Sequence, residues 1–212
     1  LFLGRALMEQ AKIAQNPEMR DARFNQALDA LKTARAMNPL NTDHTANLAR
    51  INRTWAEHDQ DRARRTEKLQ RALEYYQQAT SLSPNNAQLY NEWGLVYYMM
   101  GDIEKAMAMY RYSLELDEKF AQTYLLMGEV YLQQQQWQKV IEAQEKAVRL
   151  EPRLVQGWST LGYAYSQVGD LDKAIEANER VLALMPKDYG TLKNMALLYS
   201  QAERVTEAIT YG

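Results

Sequence analysis

Four of the five prolines in this 212-residue chain fall on a ruler. Pro152 and Pro186 stand 34 residues apart, and Pro84 precedes Pro152 by twice that interval, with Glu118 at the intermediate mark. Pro39 precedes Pro84 by 45 residues, eleven more than one period. Proline cannot continue a helix and restricts the residue before it, so evenly spaced prolines divide a chain into equal units. A period near 34 belongs to a stacked array of small helical units, not to one globule built around a pocket.

Segments aligned from Ala87, Ala121, Val155 and Tyr189 bring matching residues into register. The eighth position reads Gly94, Gly128, Gly162 and Ala196. Glycine inside a helix costs about 1 kcal/mol against alanine, so its recurrence calls for another helix packed close to the backbone there. Tyr97, Tyr131, Tyr165 and Tyr199 follow three residues later, one turn on and on nearly the same face. Ala106, Val140, Ala174 and Ala208 supply a second small contact, and Trp93, Met127, Leu161 and Met195 a large apolar filler. Between these helices lie Gly101-Asp102 and Gly169-Asp170, where Gly ends one helix in the left-handed conformation and Asp caps the next. Each unit is therefore predicted to be two antiparallel helices joined by a tight turn. Gln135-Gln136 and Glu203 replace glycine at the other two turns, which predicts less sharply defined turns there.

These positions resemble the tetratricopeptide repeat (TPR) family. The match is fullest in Trp158-x-x-Leu161-Gly162-x-x-Tyr165, followed by Ala174 and Pro186, and next in Tyr90-x-x-Trp93-Gly94-x-x-Tyr97, followed by Ala106 and Tyr110. It covers residues 72–212 and implies an all-α fold, an α-solenoid wound as a right-handed superhelix of antiparallel TPR helix pairs. Residues 1–86 depart from the standard unit. Gly4 and Ala49 precede their partners Ala27 and Ala72 by 23 residues, where ordinary units have 12. Eleven extra residues shared by two helices lengthen each by about 8 Å, with turns expected at Asn16-Pro17 and at residues 58–61. The expected organisation is two elongated TPR-like pairs over 1–86, then TPR units over 87–120, 121–154, 155–188 and 189–212, the last incomplete.

Two phrases, Phe2-Leu3-Gly4-Arg5-Ala6 and the run from Asn38 to Arg50, also resemble the soluble TPR tail of bacterial O-antigen ligase-like polysaccharide proteins. That resemblance implies a tether to a membrane region that carries the glycan-transfer residues, none of which is present here. Location follows it: membrane-tethered if the resemblance holds, cytoplasmic otherwise.

Composition narrows the chemistry. Net charge is −2, split into +3 over residues 1–86 and −5 over 87–212, which argues against a nucleic-acid partner. No apolar run in this chain is long enough to span a bilayer. Cysteine is absent, and the only two histidines, His44 and His58, lie about 21 Å apart along one helix, too far to share a metal. There is no glycine-rich phosphate loop and no nucleophile with a base at motif spacing. Carboxylate pairs such as Glu142/Glu145 and Asp170/Asp172 sit at helix starts or on exposed faces, where caps and helix dipoles account for them. No catalytic, cofactor or metal residue is expected, and the chain reads as a non-catalytic interaction scaffold.

The TPR resemblance places ligands on a concave surface lined by the first helix of each pair. Its candidate residues are Gln88, Asn91 and Tyr98; Gln122, Glu129 and Gln133; Gln156, Tyr163 and Gln167; and Lys193 and Gln201. Amides and aromatic faces suit a peptide backbone, a sugar or a partner helix. The set lacks the Lys/Asn/Arg combination with which some TPR modules clamp a terminal carboxylate. A second candidate is a basic outer face of Arg64, Lys68 and Arg71, suited to anionic lipid or an acidic partner and so to membrane proximity. Three readings follow: a protein- or peptide-binding adaptor, a regulatory or assembly tail of a membrane polysaccharide protein, and a structural subunit that associates with itself through its exposed C-terminal end.

Overall fold

The computed structural model describes residues 2–211, leaving aside the side chains of residues 205–207. Twelve helices and no strand occur among the described residues: α1 (Phe2–Ile13), α2 (Pro17–Met37), α3 (Thr42–His58), α4 (Arg62–Leu82), α5 (Ala87–Met100), α6 (Ile103–Leu116), α7 (Ala121–Gln133), α8 (Trp137–Leu150), α9 (Val155–Gln167), α10 (Leu171–Leu184), α11 (Tyr189–Gln201) and α12 (Val205–Tyr211). Successive helices pack in pairs, making an all-α solenoid of antiparallel hairpins. The chain divides into two compact units, Leu1–Glu118 with α1–α6 and Lys119–Gly212 with α7–α12.

The proline ruler has one physical cause. Asn38, Ser83, Glu151 and Met185 each leave their helix with φ between −142° and −134° and ψ between 75° and 87°. That is the extended region to which a following proline confines its neighbour. Each proline then takes the second position of a β-turn, its preferred place. The turns close through Asn41 N–H to Asn38 O (3.3 Å), Asn86 to Ser83 (3.3 Å), Leu154 to Glu151 (3.1 Å) and Asp188 to Met185 (3.1 Å). Asp117 adopts the same extended backbone, φ −147° and ψ 95°, although Glu118 follows it.

The turns inside the pairs correct one expectation. Gly101 and Gly169 are left-handed at φ 82° and 80°, but Gln135 and Glu203 are left-handed too, at 55° and 58°. In all four turns the next N–H reaches back to the tyrosine of the repeat: Asp102 to Tyr97 O (2.9 Å), Gln136 to Tyr131 (3.0 Å), Asp170 to Tyr165 (3.0 Å) and Arg204 to Tyr199 (2.8 Å). The turns without glycine are thus as well closed as the others. The capping bond overrides a left-handed penalty of about 1–2 kcal/mol for a residue with a Cβ.

Four mid-helix glycines, Gly4, Gly94, Gly128 and Gly162, each face one filler from the second helix of their own pair. A Cβ built on Gly4 would lie 2.6 Å from Leu31 Cγ, and one on Gly94 would lie 2.6 Å from Tyr110 Cε1. Gly128 meets Gln144 and Gly162 meets Asn178 in the same way. Leu31, Tyr110 and Gln144 are fully or almost fully buried, and Asn178 is 5 % exposed.

The surplus in the longer pairs is not shared evenly. Helix α3 has 17 residues and α4 has 21, against 14 each in α5 and α6. Only four residues separate α4 from α5, so the added length of α4 must project at its N-terminal end. There Asp61 caps the helix by accepting from the Arg64 N–H at 2.8 Å. Behind this block Phe24 is fully buried and stacks on Trp55, centroids 5.4 Å apart.

Candidate functional site

In the unit Leu1–Glu118, the first-helix row holds more charge than the sequence columns promised. Gln88 is exposed and donates to Glu92 at 2.7 Å. Glu92 in turn pairs with Arg50 of α3 at 2.8 Å, with both side chains about one-fifth exposed. Burial alone would lower the pKa of Arg50, but the Glu92 carboxylate outweighs it and raises it. Arg5 of α1 donates to Asn47 of α3 at 3.2 Å and extends the ladder. Arg5 and Arg50 occupy the position just after Gly4 and Ala49, equivalent to Leu95, which the column reading did not carry into the elongated pairs. Tyr98 is half-buried in this unit.

Asn91 does not face a groove. It is 3 % exposed, packed into the helix interface rather than onto its open face. It stands one turn before Gly94 and shares the face on which the paired helix packs.

In the unit Lys119–Gly212 the predicted residues separate into two groups. Glu129 of α7 accepts a hydrogen bond from Gln156 of α9. Burial raises the Glu129 carboxyl and the Gln156 amide opposes that rise. Gln122 is half-buried, while Gln133 and Lys193 are exposed. The second group forms a cleft of about 260 Å³ between α9 and α11, which brings Tyr163, Gln167 and Gln201 together. Asn194 and Leu197 complete its walls and Asn178 of α10 lies at its base. Tyr163 is 51 % exposed and held edge-on by Trp137, centroids 5.7 Å apart. Asn194 and Asn178 stand outside the groove positions read from the sequence, yet both line the cleft.

The basic outer face is corrected at Lys68, while Arg64 and Arg71 are exposed. Lys68 is 9 % exposed, not solvated. Its ammonium donates to Asp59 at 2.7 Å and lies 4.5 Å from the centroid of the Trp55 ring. Arg64 reaches the same Asp59 at 3.1 Å, and Arg71 pairs with Glu67 at 2.6 Å. Burial alone would raise the Asp59 carboxyl. The hydrogen bonds from Lys68 and the Asp61 N–H, with the charges of Lys68 and Arg64, outweigh it and hold the group below the usual carboxylate range. The three cations are thus matched to carboxylates: the α3–α4 turn folds Asp59 against Lys68 and Arg64, and Arg71 takes Glu67 one turn back on α4.

Paired helices, small residues at the crossing points and left-handed caps on the repeat tyrosines define a tetratricopeptide-like repeat protein. Residues 54–184 match the cilia and flagella-associated protein 70 middle TPR-like domain, and the chain belongs to this family. Solved structures share the fold. The crystal structure of YrrB, described as a TPR protein with an unusual peptide-binding site, is 20 % identical with a TM-score of 0.63, covering 87 % of this chain and 89 % of its own. PilW, described as a widely conserved type IV pilus biogenesis factor, is 16 % identical with a TM-score of 0.68, covering 98 % and 90 %. MamA is 24 % identical with a TM-score of 0.61, covering 76 % and 87 %. No curated protein matches the sequence. The resemblance to an O-antigen ligase-like tail finds no support in these comparisons. Among the described residues no helix is long and apolar enough to cross a membrane.

Proposed function

We propose that this chain is a non-catalytic scaffold that binds an extended peptide segment of a partner protein on its first-helix faces, with the α9–α11 cleft as the principal site. The cleft carries the reading. It sets one exposed aromatic face beside the amides of Gln167, Asn194 and Gln201. Amides donate and accept at once, which matches the alternating groups of a peptide backbone, and the tyrosine ring receives an apolar side chain. The peptide-binding site named for YrrB, on the same fold, supports this choice of ligand.

The test is selection of displayed peptides on the intact chain, followed by titration of the selected peptide against Tyr163→Ala and Gln167→Ala/Gln201→Ala. Truncating an anchor aromatic typically costs more than 1 kcal/mol, so affinity should fall roughly tenfold. Selected peptides that bind all variants equally would overturn the assignment.

A further inference from the structure

The uneven helix lengths create a second candidate surface, independent of the α9–α11 cleft. Helix α4 exceeds α5 by seven residues, which is about 10 Å of helix. This surplus overhangs the C-terminal end of α5 and encloses a cleft of about 500 Å³ lined by Arg62, Arg65, Thr66, Leu69, Met99 and Met100. Its floor is apolar: Leu69 is buried, Met99 half-buried and Met100 38 % exposed. Its rim is cationic. Along α4 the charges sort by face. Arg64, Lys68 and Arg71 are spent on Asp59 and Glu67. Arg62 and Arg65 are exposed, and among the described residues neither guanidinium has a carboxylate partner. The acids nearest in sequence are engaged elsewhere: Asp61 is turned into the helix cap and Glu67 pairs with Arg71. No acidic residue lines the cleft.

We propose that this ledge binds an acidic peptide segment of a partner protein, with its carboxylates on Arg62 and Arg65 and an apolar side chain on Met99, Met100 and Leu69. Guanidinium forks match carboxylates in geometry, and methionine adapts to side chains of different shape. An apolar floor directly beneath the charges favours a ligand that alternates acid and hydrophobe. A lipid surface would instead need a broad basic face, and the neighbouring cations are already neutralised.

The probe is a fluorescein-labelled peptide Glu-Leu-Glu-Glu-Leu-Glu, with Lys-Leu-Lys-Lys-Leu-Lys as control, titrated by anisotropy against the whole chain. The acidic peptide should bind, weaken as salt rises, and lose about tenfold in affinity to Arg62→Glu/Arg65→Glu. Met100→Gln, in the floor, should weaken it as well, while Arg71→Ala and the cleft variant Gln167→Ala should leave it unchanged. No binding of the acidic peptide, equal binding of both peptides, or affinity indifferent to Arg62→Glu/Arg65→Glu would overturn the proposal. Flotation on phosphatidylserine vesicles that needs both arginines, with no peptide binding, would assign the ledge to lipid instead.

Discussion

Lys68→Met tests the charge cluster that closes the α3–α4 turn. Asp59 is 3 % and Lys68 11 % exposed at the side chain, so the pair is nearly dry. Removing one partner of a buried pair costs about 3–5 kcal/mol because the other charge is stranded. Here Asp59 keeps Arg64 at 3.1 Å and the Asp61 N–H at 3.0 Å, which brings the expected loss down to about 2–3 kcal/mol. Methionine preserves the apolar stem over Trp55, so the loss reports charge and not packing. For a chain of this length that corresponds to a fall of roughly 4–12 °C in the melting temperature of the first unit, read by circular dichroism. Asp59→Asn alone should also destabilise, and the double variant should lose much less than the two single losses combined.

The pH dependence provides a second reading of the same cluster. The folded Asp59 carboxyl titrates below its unfolded value of about 3.9. Its contribution is therefore complete above that value and drains away as pH falls through the lower, folded one. The gap between wild type and Lys68→Met should be constant near neutral pH and close below about pH 4. A variant that melts with the wild type at pH 7, or a gap that persists in acid, would refute the account.

Other substitutions probe the repeat itself. Gln135→Gly removes a left-handed penalty of about 1–2 kcal/mol but loosens the unfolded chain by about 0.4–1 kcal/mol, so urea unfolding should show a gain of roughly 0.5–1 kcal/mol in the second unit. Gly94→Ala puts a Cβ 2.6 Å from the Tyr110 ring and 3.1 Å from the Ala106 carbonyl oxygen. Overpacking at a site that cannot retreat costs about 1–3 kcal/mol, and denaturant titration should show it in the first unit, against the modest helix-propensity gain.

The repeat was legible because its signals are local. Proline acts on the residue before it, and a glycine recurring every 34 residues registers a helix crossing without any knowledge of the partner. What escaped depends on residues brought together by turns. Lys68 reads as solvated on a helical projection of α4, since its partners come from the turn at Asp59 and from Trp55 on α3. Asn91 is buried because it stands one turn before Gly94, on the face that packs against α6. Gln135 carries no mark of its left-handed backbone, which is imposed by the bond from Gln136 to Tyr131. The eleven-residue surplus was visible, but its unequal division was not, because sequence length alone does not say which of two paired helices receives it.

The β-turn proline has a consequence for how such a chain can be inherited. Four repeat junctions are stiffened by it, and the fifth, at Asp117-Glu118, holds the same backbone without it. That junction is also where one compact unit ends and the next begins, and its residues 117–119 are exposed. An array whose energy is a sum over neighbouring repeats can be cut, lengthened or recombined at its exposed junctions. Because Asp117 already holds the extended backbone that a proline imposes, this junction keeps the geometry of the others without one.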